Sequence, residues 1–215
     1  MHRRTRLVLA LLSACAGGMD ILALVALGGV FTGSATGDII RIGHGVGTCA
    51  WRVMATAGVA LTGFALGVWI WARFLGTPEA VSPRALLLGT VAELLLLITF
   101  AVGWVLTEGQ PSTHGVAPAL LFVGALAMGA QSSVSMTLGG STTFMTGVLA
   151  NAIAGLATKA PPRRTLSPLI QPAALLVGVI LTTLAFTRRP ELAALLPLGF
   201  ATLAVLAGSV GRRRR

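Results

Sequence analysis

Six runs of about 20 apolar residues, with charge confined almost wholly to their ends, limit what this chain can fold into. They fall at roughly 7–29, 51–73, 84–107, 116–138, 168–187 and 191–211. At a rise of about 1.5 Å per residue, a run of this length crosses the hydrocarbon core of a bilayer as one helix. Short polar stretches punctuate the runs: GTPEAVSPR at 76–84, EGQPSTHG at 108–115 and TRRPE at 187–191. The fifth run is the least regular, because Pro168 and Pro172 crowd its start. Only 10% of the 215 residues are charged, whereas a soluble domain carries about 25%. That is too few to cover a water-facing surface. The expected fold class is an all-α polytopic membrane protein with six transmembrane helices, forming one membrane domain over 1–215.

The formal net charge of +10 does not point to nucleic acid, because the basic residues sit at the ends of apolar runs rather than among aromatics. HRRTR at 2–6, PPRR at 161–164 and RRRR at 212–215 are the main groups. Such placement reports topology, since short cytoplasmic loops collect Lys and Arg. With the N-terminus inside, twelve basic residues fall on the cytoplasmic side: Arg3, Arg4, Arg6, Arg73, Arg84, Lys159, Arg163, Arg164 and Arg212 to Arg215. Four fall outside: Arg41, Arg52, Arg188 and Arg189. Both termini are therefore expected in the cytoplasm. Trp51, Trp69, Trp71 and Trp104 lie near expected helix ends, where interfacial aromatics gather.

Cys15 and Cys49 form neither a metal-ligand spacing nor a disulfide framework. LSAC at 12–15, after a basic start and a short apolar run, has the look of a lipoprotein signal. The apolar character continues past Cys15 through ILALVALGGV at 21–30, however, and this segment has a counterpart in the second half. The expectation is that it stays in the fold.

That counterpart is the second constraint. LGGVFTGSATGD at 27–38 packs four glycines, two threonines, a serine and an aspartate into twelve positions, and LGGSTTFMTG follows at 138–147. Aligning Gly28-Gly29 with Gly139-Gly140 pairs Leu27 with Leu138, Gly18 with Gly129 and Asp20 with Gln131. After one skipped residue, Thr36-Gly37 pairs with Thr146-Gly147 and Arg41 with Asn151. Each run ends the first helix of a three-helix half, about 7–107 and 116–211. Three crossings per half place the copies in opposite orientations, as in the inverted repeats of many secondary transporters. The short apolar stretches 38–49 and 147–158 follow the two runs and are too short to cross. A backbone break in a bilayer frees amides and carbonyls that only protein or cavity water can satisfy. Glycine and threonine also serve tight helix packing, for which Gly63…Gly67 and Gly43…Gly47 have the spacing.

Ionisable residues inside apolar runs are functional candidates by default. Asp20 lies near the middle of the first run and Glu93 about ten residues into the third. The expected site is a midplane cavity between the first and fourth helices. Asp20 and Gln131 would supply polar contacts, and Thr36, Gly37, Thr146 and Gly147 would form the break points. Asp38, Arg41, Glu93 and Asn151 are supporting candidates, although Asp38 would serve equally well as a helix cap. The N-termini of the short helices would direct partial positive charge into the cavity.

These residues carry a family likeness. GGMDILALVALGGVFTGSATGDIIRIG at 17–43 resembles the first signature of the YoaK-like integral membrane proteins, a bacterial family of unknown function. That signature reads G-x-x-D, then A-L-G-G-V-F-T and M-T-G-N. ALAMGAQSSV at 125–134 and TTFMTGVLANA at 142–152 resemble the second signature, a G-x-Q-N stretch followed by T-T-x-x-T-G. This chain departs where S-H-M is replaced by Gly33-Ser34-Ala35, where Asp38 replaces Asn, and where Ser132 follows Gln131. The resemblance implies six helices and the inner membrane, and it supplies no substrate.

An enzyme is not expected. A rhomboid-like protease would need a histidine base in a late helix, and the histidines are His2, His44 and His114. No phosphate-cradling G-x-x-x-x-G-K-[ST] or metal-ligand cluster occurs in the sequence, so neither cofactor nor metal is expected. The expected function is a small-solute permease. A non-transporting scaffold or assembly partner is the main alternative, and a passive channel the third. Partners are the bilayer and an unidentified solute. Six helices enclose little volume, so a homodimer is a further expectation.

Overall fold

A computed structural model describes residues 3–76, 82–112, 115–140, 142, 145–158 and 169–209. Among these, regular structure is entirely helical: α1 (Arg3–Ala26), α2 (Ala35–Gly47), α3 (Trp51–Leu75), α4 (Pro83–Leu106), α5 (Ala117–Thr137), α6 (Met145–Ala157), α7 (Ile170–Arg188) and α8 (Leu195–Ser209). A short 3-10 turn, Pro190–Leu192, leads into α8. Among the described residues, six helices are long and apolar enough to cross a membrane: α1, α3, α4, α5, α7, and α8 together with its 3-10 turn. The short helices α2 and α6 follow the two glycine runs. Lys159, Arg163, Arg164, Arg212 to Arg215, His2, His114 and Pro168 lie outside the described residues.

Local chemistry sets the helix ends. α1 stops at Ala26 because Gly28 and Gly29 take φ of 102° and 76°, a region an L side chain enters only at a cost. α5 stops in the same way: Gly139 has φ 74°, and the Gly140 amide reaches back to the Ser135 carbonyl at 3.0 Å. α4 starts where the Ser82 hydroxyl accepts the Ala85 amide at 3.1 Å, with Pro83 in the first position, which has no amide to satisfy. Pro172 is tolerated for a related reason, since it sits in the first turn of α7.

α1 and α5 form the centre, with 61% and 72% of their spans buried by protein, against 28% or less for the other four. α1 packs on α7 and α8, α5 packs on α3 and α4, and α2 lies along α3. The closest crossings are backbone to backbone. Gly17 faces the Leu175 carbonyl and Gly178 the Ala14 carbonyl, joining α1 to α7. Gly67 faces the Leu126 carbonyl and Gly129 the Phe64 carbonyl, joining α3 to α5. A Cβ at any of these would overlap a carbonyl, and one at Gly63 would lie 2.8 Å from the Phe122 carbonyl oxygen, so Gly63 and Gly67 are packing residues. Gly43 and Gly47 are not, having nothing within 4 Å among the described residues. The tryptophans divide in two. Trp51 and Trp69 are 64% and 66% exposed, as interfacial residues are. Trp71 and Trp104 are instead buried, donating to the Gly89 and Pro190 carbonyls at 3.0 and 2.8 Å.

Candidate functional site

The first break is tied back onto α1 by a carboxylate. Asp20 Oδ1 accepts the Thr32 amide at 2.9 Å, the Thr32 hydroxyl at 2.9 Å and the Gly33 amide at 2.8 Å. A residue earlier, the Phe31 amide donates to Asp38 Oδ1 at 3.1 Å. Two acids thus satisfy three consecutive amides that lipid would leave bare. Asp38 is not the N-cap of α2, a position held by Ser34; it lies in the first turn, where negative charge is favoured. The Arg41 guanidinium lies against Gly29, and its Nε has no hydrogen-bond partner among the described residues.

The second break is tied by an amide. Gln131 Nε2 donates to the Leu12 carbonyl at 3.0 Å and to the Thr142 hydroxyl at 3.2 Å. Both Gln131 and Thr142 are fully buried, and Gln131 Oε1 has no partner among the described residues. Asp20 and Gln131 thus each hold the loop that follows their own helix. They do not share a partner, because Gln131 meets α1 at Leu12, about 12 Å along the helix from Asp20.

The other sequence candidates are spread out. The positive φ values fall on Gly28, Gly29 and Gly139, so the chain turns before Thr36-Gly37 and Thr146-Gly147, which sit in the first turns of α2 and α6. Thr36, Thr146 and Asn151 are exposed, and Gly37 packs against the Phe31 ring. Ser141, Thr143 and Phe144 of the second run lie outside the described residues.

Sequence reasoning ranked Glu93 as a supporting residue, and the structure gives it a more distinctive setting. Glu93 lines a cavity of about 210 Å³ among α1, α4, α5 and α8. Leu12, Leu94, Val134, Ala201 and Ala204 form much of its wall, and Arg4 and Thr5 come from the first turn of α1. Glu93 is 2% exposed, and its Oε1 has no hydrogen-bond partner among the described residues. The nearby Thr90 hydroxyl is committed to the Leu86 and Leu87 carbonyls of its own helix, at 2.8 and 2.9 Å. In the opposite half of the bundle, the space between α1, α4, α5 and α7 is filled. Phe100 stacks on Trp104 at 5.8 Å and Trp104 meets Phe186 at 6.2 Å, while Met19, Leu97 and Leu121 pack in the same buried core. The cavity thus occupies one half of the bundle, on the side of the termini.

These features define a six-span helical membrane protein with two interrupted helices and a cavity in one half. The chain belongs to the family described as "Protein of unknown function (DUF1275)", whose model matches residues 8–207. It is 30% identical over 148 residues to the UPF0700 transmembrane protein YoaK of Bacillus subtilis (strain 168). That match covers 67% of this chain and 64% of the relative, so it spans less than two thirds of the relative's length. No solved structure matches the chain.

Proposed function

We propose that this protein is a small-solute permease of the bacterial cytoplasmic membrane, with both termini in the cytoplasm and the binding cavity open on that side. The observation that carries this reading is the contrast between a 210 Å³ cavity in one half of the bundle and an aromatic plug in the other. A carrier at rest has this form: one path to the midplane open, the other packed shut. The twelve-to-four distribution of basic residues supports the orientation. Two inverted three-helix repeats, about 7–107 and 116–211, would allow the plugged and open halves to exchange. The crossings support that repeat: α3 meets α5 at Gly67 as α7 meets α1 at Gly178, and Asp20 and Gln131 tie the two breaks.

The scaffold reading draws on one observation: Asp20 and Gln131 are both engaged in holding the chain's own breaks. The two readings separate without knowledge of the solute. In reconstituted vesicles, Ala204→Cys in a background lacking Cys15 and Cys49 places one thiol in the cavity wall. An impermeant thiol reagent should label it rapidly from the terminus side and slowly, but measurably, from the other. Labelling from the terminus side alone would leave a fixed cavity and favour the scaffold.

A further inference from the structure

We infer that Glu93 is a cation-binding group and that its cavity takes the ammonium head of a small, otherwise apolar amine. The inference deepens the permease reading and rests on it for the role of the bound amine. It starts from how differently the acids within the bundle are treated. Asp20 Oδ1 receives three donors from residues 32–33, and Asp38 Oδ1 receives the Phe31 amide. Glu93, halfway along α4, has an Oε1 that receives nothing among the described residues. A buried carboxylate oxygen without a donor is costly, and this one lies at a cavity wall.

The walls then decide what fits. Leu12, Leu94, Val134, Ala201 and Ala204 offer no side-chain donor, so the ligand must bring its own together with a compensating charge. Arg4 lines the same cavity, but among the described residues no ion pair joins it to Glu93. An anion would meet the unpaired Glu93 carboxylate, and the one described cation in the lining, Arg4, makes no ion pair there. An inorganic cation would find one carboxylate where hard ions need a shell of oxygens, and the described residues hold no group of three His, Cys, Asp or Glu. A primary ammonium on a short apolar body satisfies both surfaces: its N–H donors meet the unclaimed oxygen, and its carbons meet the aliphatic walls. On α8 the wall carries the methyls of Ala201 and Ala204, and the described lining holds no second acid. The site is thereby single-headed.

The test uses the full-length protein in detergent, with primary alkylammonium ions from propyl to hexyl and benzylammonium, beside alcohols of the same skeletons. Binding is read by titration calorimetry and by the shift in thermal midpoint. At least one ammonium ion should bind saturably and raise the midpoint, and its alcohol should bind at least about tenfold more weakly. Glu93→Gln should lose that discrimination. Ala204→Phe, which fills the cavity and leaves the acid in place, should lose binding altogether and keeps the test open if the first variant folds poorly. Three outcomes overturn the inference: no ammonium ion of the series binds, the alcohol binds as tightly, or Glu93→Gln binds as wild type does. Equal binding of alcohol and ammonium would make the cavity a site for apolar tails. Two-sided labelling of Ala204→Cys with no ammonium binding would remove the cation and leave the carrier. Ammonium binding with one-sided labelling would do the reverse.

Discussion

The two interruptions of the bundle are spelled alike and held by different chemistry. At residues 27–34 a carboxylate on α1 collects three donors, and at 138–142 a neutral amide on α5 gives out two. The direction of the hydrogen bonds is reversed. At the first break the loop presents N–H groups to the helix. At the second, the helix presents N–H groups to a loop hydroxyl and to the Leu12 carbonyl of α1. The comparison shows that an acid inside a membrane helix can owe its place to the backbone it satisfies. Such an acid resembles a ligand site in sequence and acts as an internal cap in structure.

The largest effect that would test this contrast is expected at Asp20. Asp20→Leu leaves two amides and a hydroxyl without acceptors and should destabilise the protein by about 3 kcal/mol or more. Asp20→Asn keeps an oxygen in place and should cost nearer 1 kcal/mol, the difference between a charge-assisted and a neutral hydrogen bond. Both are measurable as unfolding midpoints in detergent. Equal losses for Leu and Asn would mean that the charge itself matters, reopening a solute role for Asp20. At Gln131 the expected loss is smaller. Gln131→Leu removes two donors from acceptors that tolerate the loss better than amides do, and should cost about 1–2 kcal/mol by the same measurement. A penalty as large as that of Asp20→Leu would show that the two ties are equivalent after all. The smallest contrast lies in the glycines. Gly28→Ala meets both a positive φ and the Thr56 methyl at 2.8 Å, whereas Gly139→Ala meets strain, about 1–2 kcal/mol, with no described neighbour within 4 Å. Thermal midpoints should therefore rank Gly28→Ala below Gly139→Ala, and the reverse order would contradict the packing at the first break.

Much of the architecture was legible because a bilayer leaves few options. Runs of the right length read directly as the six long helices, with ends within a few residues of those observed. The breaks were legible as regions, while their turning points were not. The sequence offered several glycines in each run, and only backbone geometry distinguishes Gly28, Gly29 and Gly139, which turn the chain, from Gly37 and Gly147, which begin the next helices. Trp71 and Trp104 lie near helix ends, as interfacial residues do, but a partner carbonyl on a neighbouring element draws each indole inward. Depth in the runs ranked Asp20 above Glu93, but it could not show their settings: donors twelve and thirteen residues away surround the first, and a cavity between four helices adjoins the second. Linear order carries neither fact.

The glycine crossings bear on how such a bundle could move. Interlocked side chains resist sliding until one ridge jumps the next, so helices packed that way shift in steps approaching a full turn of about 5.4 Å. At Gly17 against Leu175 and at Gly67 against Leu126, no side chain stands between the two backbones. Each pair of rods meets at a smooth bearing, around which a small tilt disturbs few rotamers. In a permease that rocks, these crossings would be the fulcrums, with α1 and α5 the beams that rest on them.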